Sequence, residues 1–224
     1  MFNRNSLLGL LAIGIAYTAV ASTAASNSAT QFQVPDDPAK VTPLKVGTTI
    51  PTVTVRNPDG TDRSFGPASI KKPTVLIFYR GGWCPYCNAH LGELKTAEPA
   101  LLELGYELVF MSADQPDLLY SSLKEPDIHY TLLSDARMNA ARAYGVAFRV
   151  DDATYTRYKS FGIDLEAASG ETHHELPVPA VFIINTRGVI EFEYANPDYK
   201  VRLKSDVLVA EARRLAEATP PGAR

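Results

Sequence analysis

Cysteine is scarce in this chain. Only Cys84 and Cys87 occur in 224 residues, and they stand three apart. One such pair cannot frame a chain of this size. As a staple it would close a very short loop, which removes little chain entropy and adds little stability. Charge imbalance is also missing: 22 basic residues face 25 acidic ones, for a formal net charge of −3. That mild acidity argues against nucleic acid as a partner. The apolar run Leu7–Val20 is shorter than the roughly 20 residues a membrane-spanning helix prefers. No internal repeat and no phosphate-binding glycine loop is apparent, and Gly81-Gly82 serves a turn instead.

The amino-terminal stretch reads as an export signal over residues 1–21. Arg4 is its positive start, Leu7–Val20 its apolar core and Ala19-Val20-Ala21 its small-residue cleavage site. No cysteine follows the apolar run, which excludes a bacterial lipoprotein anchor. The expectation is an exported chain, in the bacterial periplasm or secreted, with no stable membrane anchor after cleavage. Cleavage would leave it one unit more negative. Residues 22–45, rich in Ala, Ser, Thr, Pro and Asp, read as a linker that becomes partly ordered at the domain. One domain is expected over residues 46–216, with a disordered tail over 217–224.

The domain alternates strands and helices. Val46–Val55 and Thr61–Phe65 flank the turn Asn57-Pro58-Asp59-Gly60 and read as an edge hairpin. Thr74–Tyr79 is a continuous apolar strand, as a central position covered on both faces requires. Pro85–Leu104 reads as a helix with a tolerated proline in its first turn, a kink or break at Pro99, and a stop at Gly105. Then come a strand over Glu107–Ser112, a helix over Pro116–Lys124, a strand over His129–Leu133 and a helix over Asp135–Tyr144. After the irregular stretch 150–177, Pro179–Asn185 and Val189–Tyr194 form a second hairpin. Ser205–Ala216 is a terminal amphipathic helix. In the irregular stretch Tyr155, Tyr158 and Phe161 fall on one side of a helical turn. His173-His174 reads as part of a polar surface loop rather than a metal site.

The chemistry concentrates in Phe78-Tyr79-Arg80-Gly81-Gly82-Trp83-Cys84-Pro85-Tyr86-Cys87. A strand, a glycine turn and Cys-Pro-x-Cys at a helix start suit thiol–disulfide exchange. Two thiols at this spacing can close a disulfide, and the positive end of a helix favours the thiolate. A redox-active dithiol therefore outweighs the staple, and Trp83 reads as an aromatic wall beside it.

This stretch, with Leu176-Pro177-Val178-Pro179-Ala180-Val181-Phe182-Ile183-Ile184, resembles the peroxiredoxin-like branch of the alkyl hydroperoxide reductase and thiol-specific antioxidant family. The resemblance covers roughly residues 44–216. It implies an α/β thioredoxin-like fold, a central mixed sheet flanked by helices, with an added amino-terminal hairpin and an insertion before a cis-proline strand. It also implies a catalytic role for Cys84 and Cys87. In the peroxiredoxin pattern Pro-x-x-x-Thr-x-x-Cys, Arg80 takes the proline position and Cys84 the threonine position, which leaves Cys87 as the peroxidatic cysteine. In the thioredoxin pattern Cys84 attacks and Cys87 resolves.

The threonine that helps to position a peroxide is absent, as is the arginine before the late strand, where Pro179 stands. Pro179 instead matches the cis-proline that faces a thioredoxin dithiol, and Arg80 is a candidate replacement for the lost charge. The buried acid of thioredoxins is replaced by Phe78, which leaves His90, one turn beyond Cys87, as a candidate proton carrier. Glutaredoxins share Cys-Pro-Tyr-Cys, but their Gly-Gly-Asp glutathione turn is missing. The expected activity is a thiol–disulfide oxidoreductase first, a thiol-dependent peroxidase second and a non-catalytic binding protein third. Its partners would be a protein or small-molecule disulfide, or a peroxide, with an external thiol reductant and no bound cofactor or metal.

Overall fold

A computed structural model of the chain describes residues 34–119 and 129–218, all within the compact unit Phe32–Arg224. The expected signal over residues 1–21, residues 22–33 of the linker and residues 219–224 of the tail lie outside the described residues. So do residues 120–124 of the helix expected from Pro116, of which a single 3-10 turn, Pro116–Leu118, is described.

In chain order the strands and helices are β1 (Val53–Arg56), β2 (Asp62–Phe65), β3 (Thr74–Tyr79), α1 (Pro85–Glu103), β4 (Glu107–Ser112), β5 (Thr131–Ser134) and α2 (Asn139–Ala143). They continue with β6 (Ala147–Arg149), α3 (Asp152–Ser160), α4 (Leu165–Ser169), β7 (Glu175–Pro177), β8 (Ala180–Ile184), β9 (Ile190–Ala195) and α5 (Ser205–Ala218). Seven strands form one mixed sheet in the order β2-β1-β5-β4-β3-β8-β9, and β6 and β7 form a separate pair. β3 runs parallel to β4 and antiparallel to β8, with Tyr79 opposite Ser112 and Phe78 opposite Ala180.

Every residue of β3 and β8 is buried. This is why both read as unbroken apolar runs instead of alternating ones. Alternate side chains serve two cores. Val75, Ile77, Tyr79, Val181 and Ile183 face α1 and α5, through Leu94, Leu101, Leu208 and Ala212. Leu76, Phe78, Phe182 and Ile184 face the other core, with Ile50, Ala140 and Tyr144. There the rings of Phe78, Tyr144 and Phe182 meet at centroid distances of 5.3–6.1 Å. Truncating any of the three would cost about 3–5 kcal/mol by the usual core penalty. The segment from Val34 also belongs to this face: Val34, Val41 and Leu44 pack on it, and the Leu44 N–H donates to the Tyr144 carbonyl.

Several sequence expectations change. Pro99 lies inside α1 without dividing it. The helix expected from Asp135 begins only at Asn139, because Met138 takes a left-handed conformation (φ 58°). The Asp135 carboxylate instead caps α2 from outside, accepting from the backbone N–H groups of Ala140 and Ala141 at 2.9 and 2.7 Å.

The third correction concerns Pro179. No cis peptide bond occurs among the described residues, so Val178–Pro179 is trans. The chain runs extended from β7 into β8, and the backbone on both sides is committed. The Val178 N–H bonds the Val146 carbonyl, and the Pro179 carbonyl accepts from the Asn196 N–H. The Val178 N–H and the Pro179 carbonyl are therefore not open to pair with a polypeptide substrate.

The irregular stretch folds as α3, α4 and β7. It is held by the Asp151 and Asp164 caps, by the Arg142–Glu175 ion pair at 2.7 Å and by Tyr155 stacked on His174. His173 and His174 are half-buried and held in place rather than free on a surface loop: His173 bonds the Ala136 carbonyl and His174 the Glu166 carboxylate, each at 2.7 Å. Phe161 does not join Tyr155 and Tyr158 in packing; it is 72% exposed.

Candidate active site

The end of β3 delivers the chain into a turn that only glycine can make. Gly81 has φ 150°, and a Cβ there would overlap Trp83 Nε1 and Asp114 Oδ1. Cys84 then caps α1, its carbonyl accepting from the N–H groups of Cys87 and Asn88. Pro85 fills the first helical position, where no N–H is needed. Asn88 ties the turn down through Nδ2 to the Gly82 carbonyl at 2.9 Å.

Cys84 and Cys87 are free thiols, 2% and 1% exposed. The Cys87 S–H donates to Cys84, which pulls the Cys84 pKa down to about 6 against its burial. The Cys87 N–H and the charges of Arg80 and Arg202 act in the same direction. The same hydrogen bond, with burial and the Cys84 charge, pushes Cys87 well above the ordinary thiol range. The pair thus shares one proton, and Cys84 is the thiolate.

Arg80, 3% exposed, lies among three rings. Its guanidinium carbon is 5.1 Å from the Trp83 centroid, 5.4 Å from Tyr158 and 4.4 Å from Tyr199, and Nη2 donates to the Tyr158 hydroxyl at 2.6 Å. Burying an unpaired ion costs several kcal/mol. Desolvated cation–π contacts of about 2 kcal/mol each offset part of that. On the other side Arg202, from the β9–α5 loop, donates through Nη2 to Cys87 Sγ at 3.4 Å.

Asp114 completes the site. It follows β4, is 2% exposed, and accepts from the Gly82 N–H at 2.7 Å and the Ser112 hydroxyl at 3.2 Å. Burial lifts its pKa to about 6. Hydrogen bonds from Gly82, Ser112 and the Trp83 indole oppose that lift, and the Cys84 charge adds to it. Gly82, Trp83 and Asp114 form one wall of a cavity of about 510 Å³ whose other wall is Ile163, Asp164 and Ala167 from the insertion.

Residues 46–193 match the AhpC/TSA family, a stretch that includes the dithiol, Arg80 and Asp114. The chain belongs to the AhpC/TSA family. It is accordingly a thiol-based oxidoreductase of the peroxiredoxin-like kind. No curated protein matches it significantly. Among solved structures it is similar to the peroxidoxin BcpB of Mycobacterium tuberculosis, with a TM-score of 0.58 at 19% identity over 79% of this chain and 99% of that one. Reduced Prx3 of Vibrio vulnificus, solved in complex with H2O2, gives 0.61 at 14% identity over 75% and 99%. Enterococcus faecalis AhpC gives 0.57 at 20% identity over 80% and 96%. At these identities the likeness is one of fold, and it places the sheet and helices of this AhpC/TSA chain in the thioredoxin-like peroxiredoxin class.

Of the six site residues expected from sequence, Cys84, Cys87, Arg80 and Trp83 come together. Pro179 is buried but trans. His90 is 6% exposed, and its Nε2 stands 3.1 Å from the Leu203 carbonyl. Burial first, then the Arg202 charge, lowers its pKa to about 4. It is therefore a neutral donor that docks the Arg202–Leu203 segment on α1, aided by the Ser205 N–H to Glu93 bond. His90 acts as a positioning residue for Arg202.

A depressed histidine pKa contributes stability above about pH 6.5 that is lost as pH falls towards 4. That is about 3 kcal/mol for a shift from 6.5 to 4. Asp114 and Asp135, with raised pKa values, act in the opposite sense. Urea unfolding of wild type and His90→Gln at several pH values isolates the histidine. The gap between them should narrow from pH 6.5 to 4, and a constant gap would refute a neutral buried His90.

Sequence reasoning missed Asp114 and Arg202. A carboxylate just past β4, parallel to and beside β3, was a readable signal, since active groups collect at the carboxyl ends of parallel strands. Arg202 carried none.

Proposed function

We propose that the chain is an exported thiol-dependent peroxidase that reduces a small hydroperoxide. The observation that carries this is the burial of both sulfurs, 2% and 1% exposed, with Arg202 on Cys87 Sγ and the charges of Arg80 and Arg202 acting on Cys84. A hydroperoxide reaches such a pair more readily than a protein disulfide, which must align three sulfurs in a row. The committed backbone around Pro179 supports the same preference, as does the peroxide-reducing character of the family. Disulfide exchange, the first expectation from sequence, gives way to peroxide reduction. Export rests on the sequence of residues 1–21 alone.

The reactive form pairs the Cys84 thiolate with a protonated Asp114, a distribution open near pH 6 because both groups have pKa values of about 6. The Cys84 thiolate attacks the distal oxygen of the hydroperoxide, the O–O bond breaks, and Asp114 gives its proton to the departing alkoxide. Cys84 is now a sulfenic acid. Loss of its negative charge releases Cys87 from the hydrogen bond that held it protonated. Cys87 attacks the Cys84 sulfur and water leaves, carrying the Cys87 proton and the sulfenic hydroxyl. One hydroperoxide and two thiols give one alcohol, one water and one disulfide. An external dithiol then restores the pair by exchange.

A second reading has Cys87 attack and Cys84 resolve. It is favoured by the 3.4 Å Arg202–Cys87 contact and by the peroxiredoxin-pattern position of Cys87. For either reading, reduced protein mixed with substoichiometric hydroperoxide should lose two thiols per peroxide and gain one Cys84–Cys87 disulfide. Thiol titration and peptide mass mapping check this. Thiols that survive the peroxide but exchange rapidly with an oxidised peptide would return the assignment to disulfide exchange.

A further inference from the structure

Both guanidiniums at the dithiol lack a carboxylate. Among the described residues no ion pair involves Arg80 or Arg202. Two of their buried nitrogens, Arg80 Nε and Arg202 Nη1, have no hydrogen-bond acceptor among the described residues. One thiolate answers one of the two positive charges. Asp114 does not answer the other, because its bonds go to Gly82, Ser112 and the Trp83 indole. A buried donor left unmatched in a folded protein points to an acceptor brought by a ligand. Around Arg80 the ligand would meet a rim of three half-buried rings, Trp83, Tyr158 and Tyr199, which suits hydrocarbon next to the charge.

We propose that Arg80 and Arg202 form an anion subsite, and that the oxidant reduced at this dithiol is a hydroperoxide carrying a carboxylate. The proposal rests on the peroxidase assignment for its chemistry, though not for the binding of the anion. The carboxylate takes the unmatched guanidinium nitrogens, and its apolar body lies along the rings. The peroxide is thereby directed at the sulfur beneath them. Tyr158 comes from α3, so the insertion supplies part of the specificity wall.

The test compares cumene hydroperoxide bearing a para-carboxylate with its methyl ester, two substrates alike at the O–O bond. At low ionic strength the acid should be reduced with kcat/KM about tenfold or more above the ester, and the ratio should shrink as salt is added. Arg80→Met should bring the ratio to about one, whereas Arg80→Lys, which keeps the charge, should retain part of it. Equal rates for acid and ester in the wild type would overturn the subsite and leave the peroxidase assignment standing.

Binding is read separately in the Cys84→Ser/Cys87→Ser protein, with the unreactive alcohol 4-(2-hydroxypropan-2-yl)benzoate as the probe. Trp83, the one tryptophan of the chain, stands against Arg80 and should report the probe as a saturable fluorescence change that its methyl ester does not produce. Saturable binding of the acid with no turnover of either hydroperoxide would refute the peroxidase while keeping the subsite. A response that is absent, or equal for acid and ester, would refute the subsite.

Discussion

Cys84→Ser should lower peroxide consumption by on the order of a thousandfold or more, whereas Cys87→Ser should keep the first oxidation step and lose the second. With its pKa at about 6, Cys84 is about 90% thiolate at pH 7, against a few per cent for an ordinary thiol near 8.5. A serine hydroxyl cannot supply that nucleophile. The sulfur left in Cys84→Ser is Cys87, whose burial opposes ionisation. In Cys87→Ser the new hydroxyl can still donate to the Cys84 thiolate. One equivalent of peroxide should then react within about tenfold of the wild-type rate and stop at a sulfenic acid on residue 84. Two groups set the pH dependence: the first step falls about tenfold per unit below pH 6 as Cys84 protonates, and it declines above pH 6 as Asp114 loses the proton it must give, so the rate peaks near pH 6. Stopped-flow fluorescence of Trp83 and trapping of the sulfenic acid for mass spectrometry would check both points. A fast sulfenic acid on Cys87 in the Cys84→Ser protein would transfer the attack to Cys87 and to its Arg202 contact.

The parts of the molecule legible in the sequence are those where one local pattern has one physical cause. β3 and β8 are apolar throughout because both faces are covered, and the Gly-Gly turn before Cys-Pro has no other use than a tight entry into α1. The insertion was not legible. Its helices are short, and what holds them is a set of side-chain pairs between distant residues, such as Arg142 with Glu175 and Tyr155 with His174. No periodicity announces such pairs.

Pro179 misled for a related reason. A Val-Pro before an apolar strand reads the same whether its peptide bond is cis or trans, and the choice was made by the partners Val146 and Asn196. Of the site, sequence gave the groups that are neighbours along the chain, from Arg80 to Cys87. It could not give Arg202, which is brought 115 residues back to Cys87 by the docking of Leu203 on His90. Asp114 was within reach, at the carboxyl end of the strand beside β3, but its Ser-Ala-Asp context also reads as an ordinary strand end. The parallel pairing of Tyr79 with Ser112 is what sets that carboxylate beside Gly82.

Asp114→Asn should separate stability from turnover. The amide oxygen can still accept from the Gly82 N–H, so the turn keeps its anchor. What is lost is a group that can hold and return a proton near pH 6. Without it the alkoxide must leave unprotonated or wait for water, and the oxidation maximum near pH 6 should fall about 100-fold, the usual worth of a positioned acid. Removing a negative charge next to Cys84 should at the same time move that thiol's titration to lower pH. The acid limb of the rate profile would then shift down in pH while the maximum drops and the alkaline limb is lost, a combination that simple damage to the turn does not produce. Hydroperoxides whose alcohol is more acidic need less help in leaving and should lose less. A carboxyl whose folded pKa is raised contributes stability below about pH 4 that is lost as pH rises through 6, about 3 kcal/mol for a shift of this size. The asparagine variant escapes that loss, so it should gain stability relative to wild type across pH 4 to 6. An unchanged rate maximum, or an equal fall for every hydroperoxide, would remove Asp114 from the proton path and leave it as the anchor of the Gly82 turn.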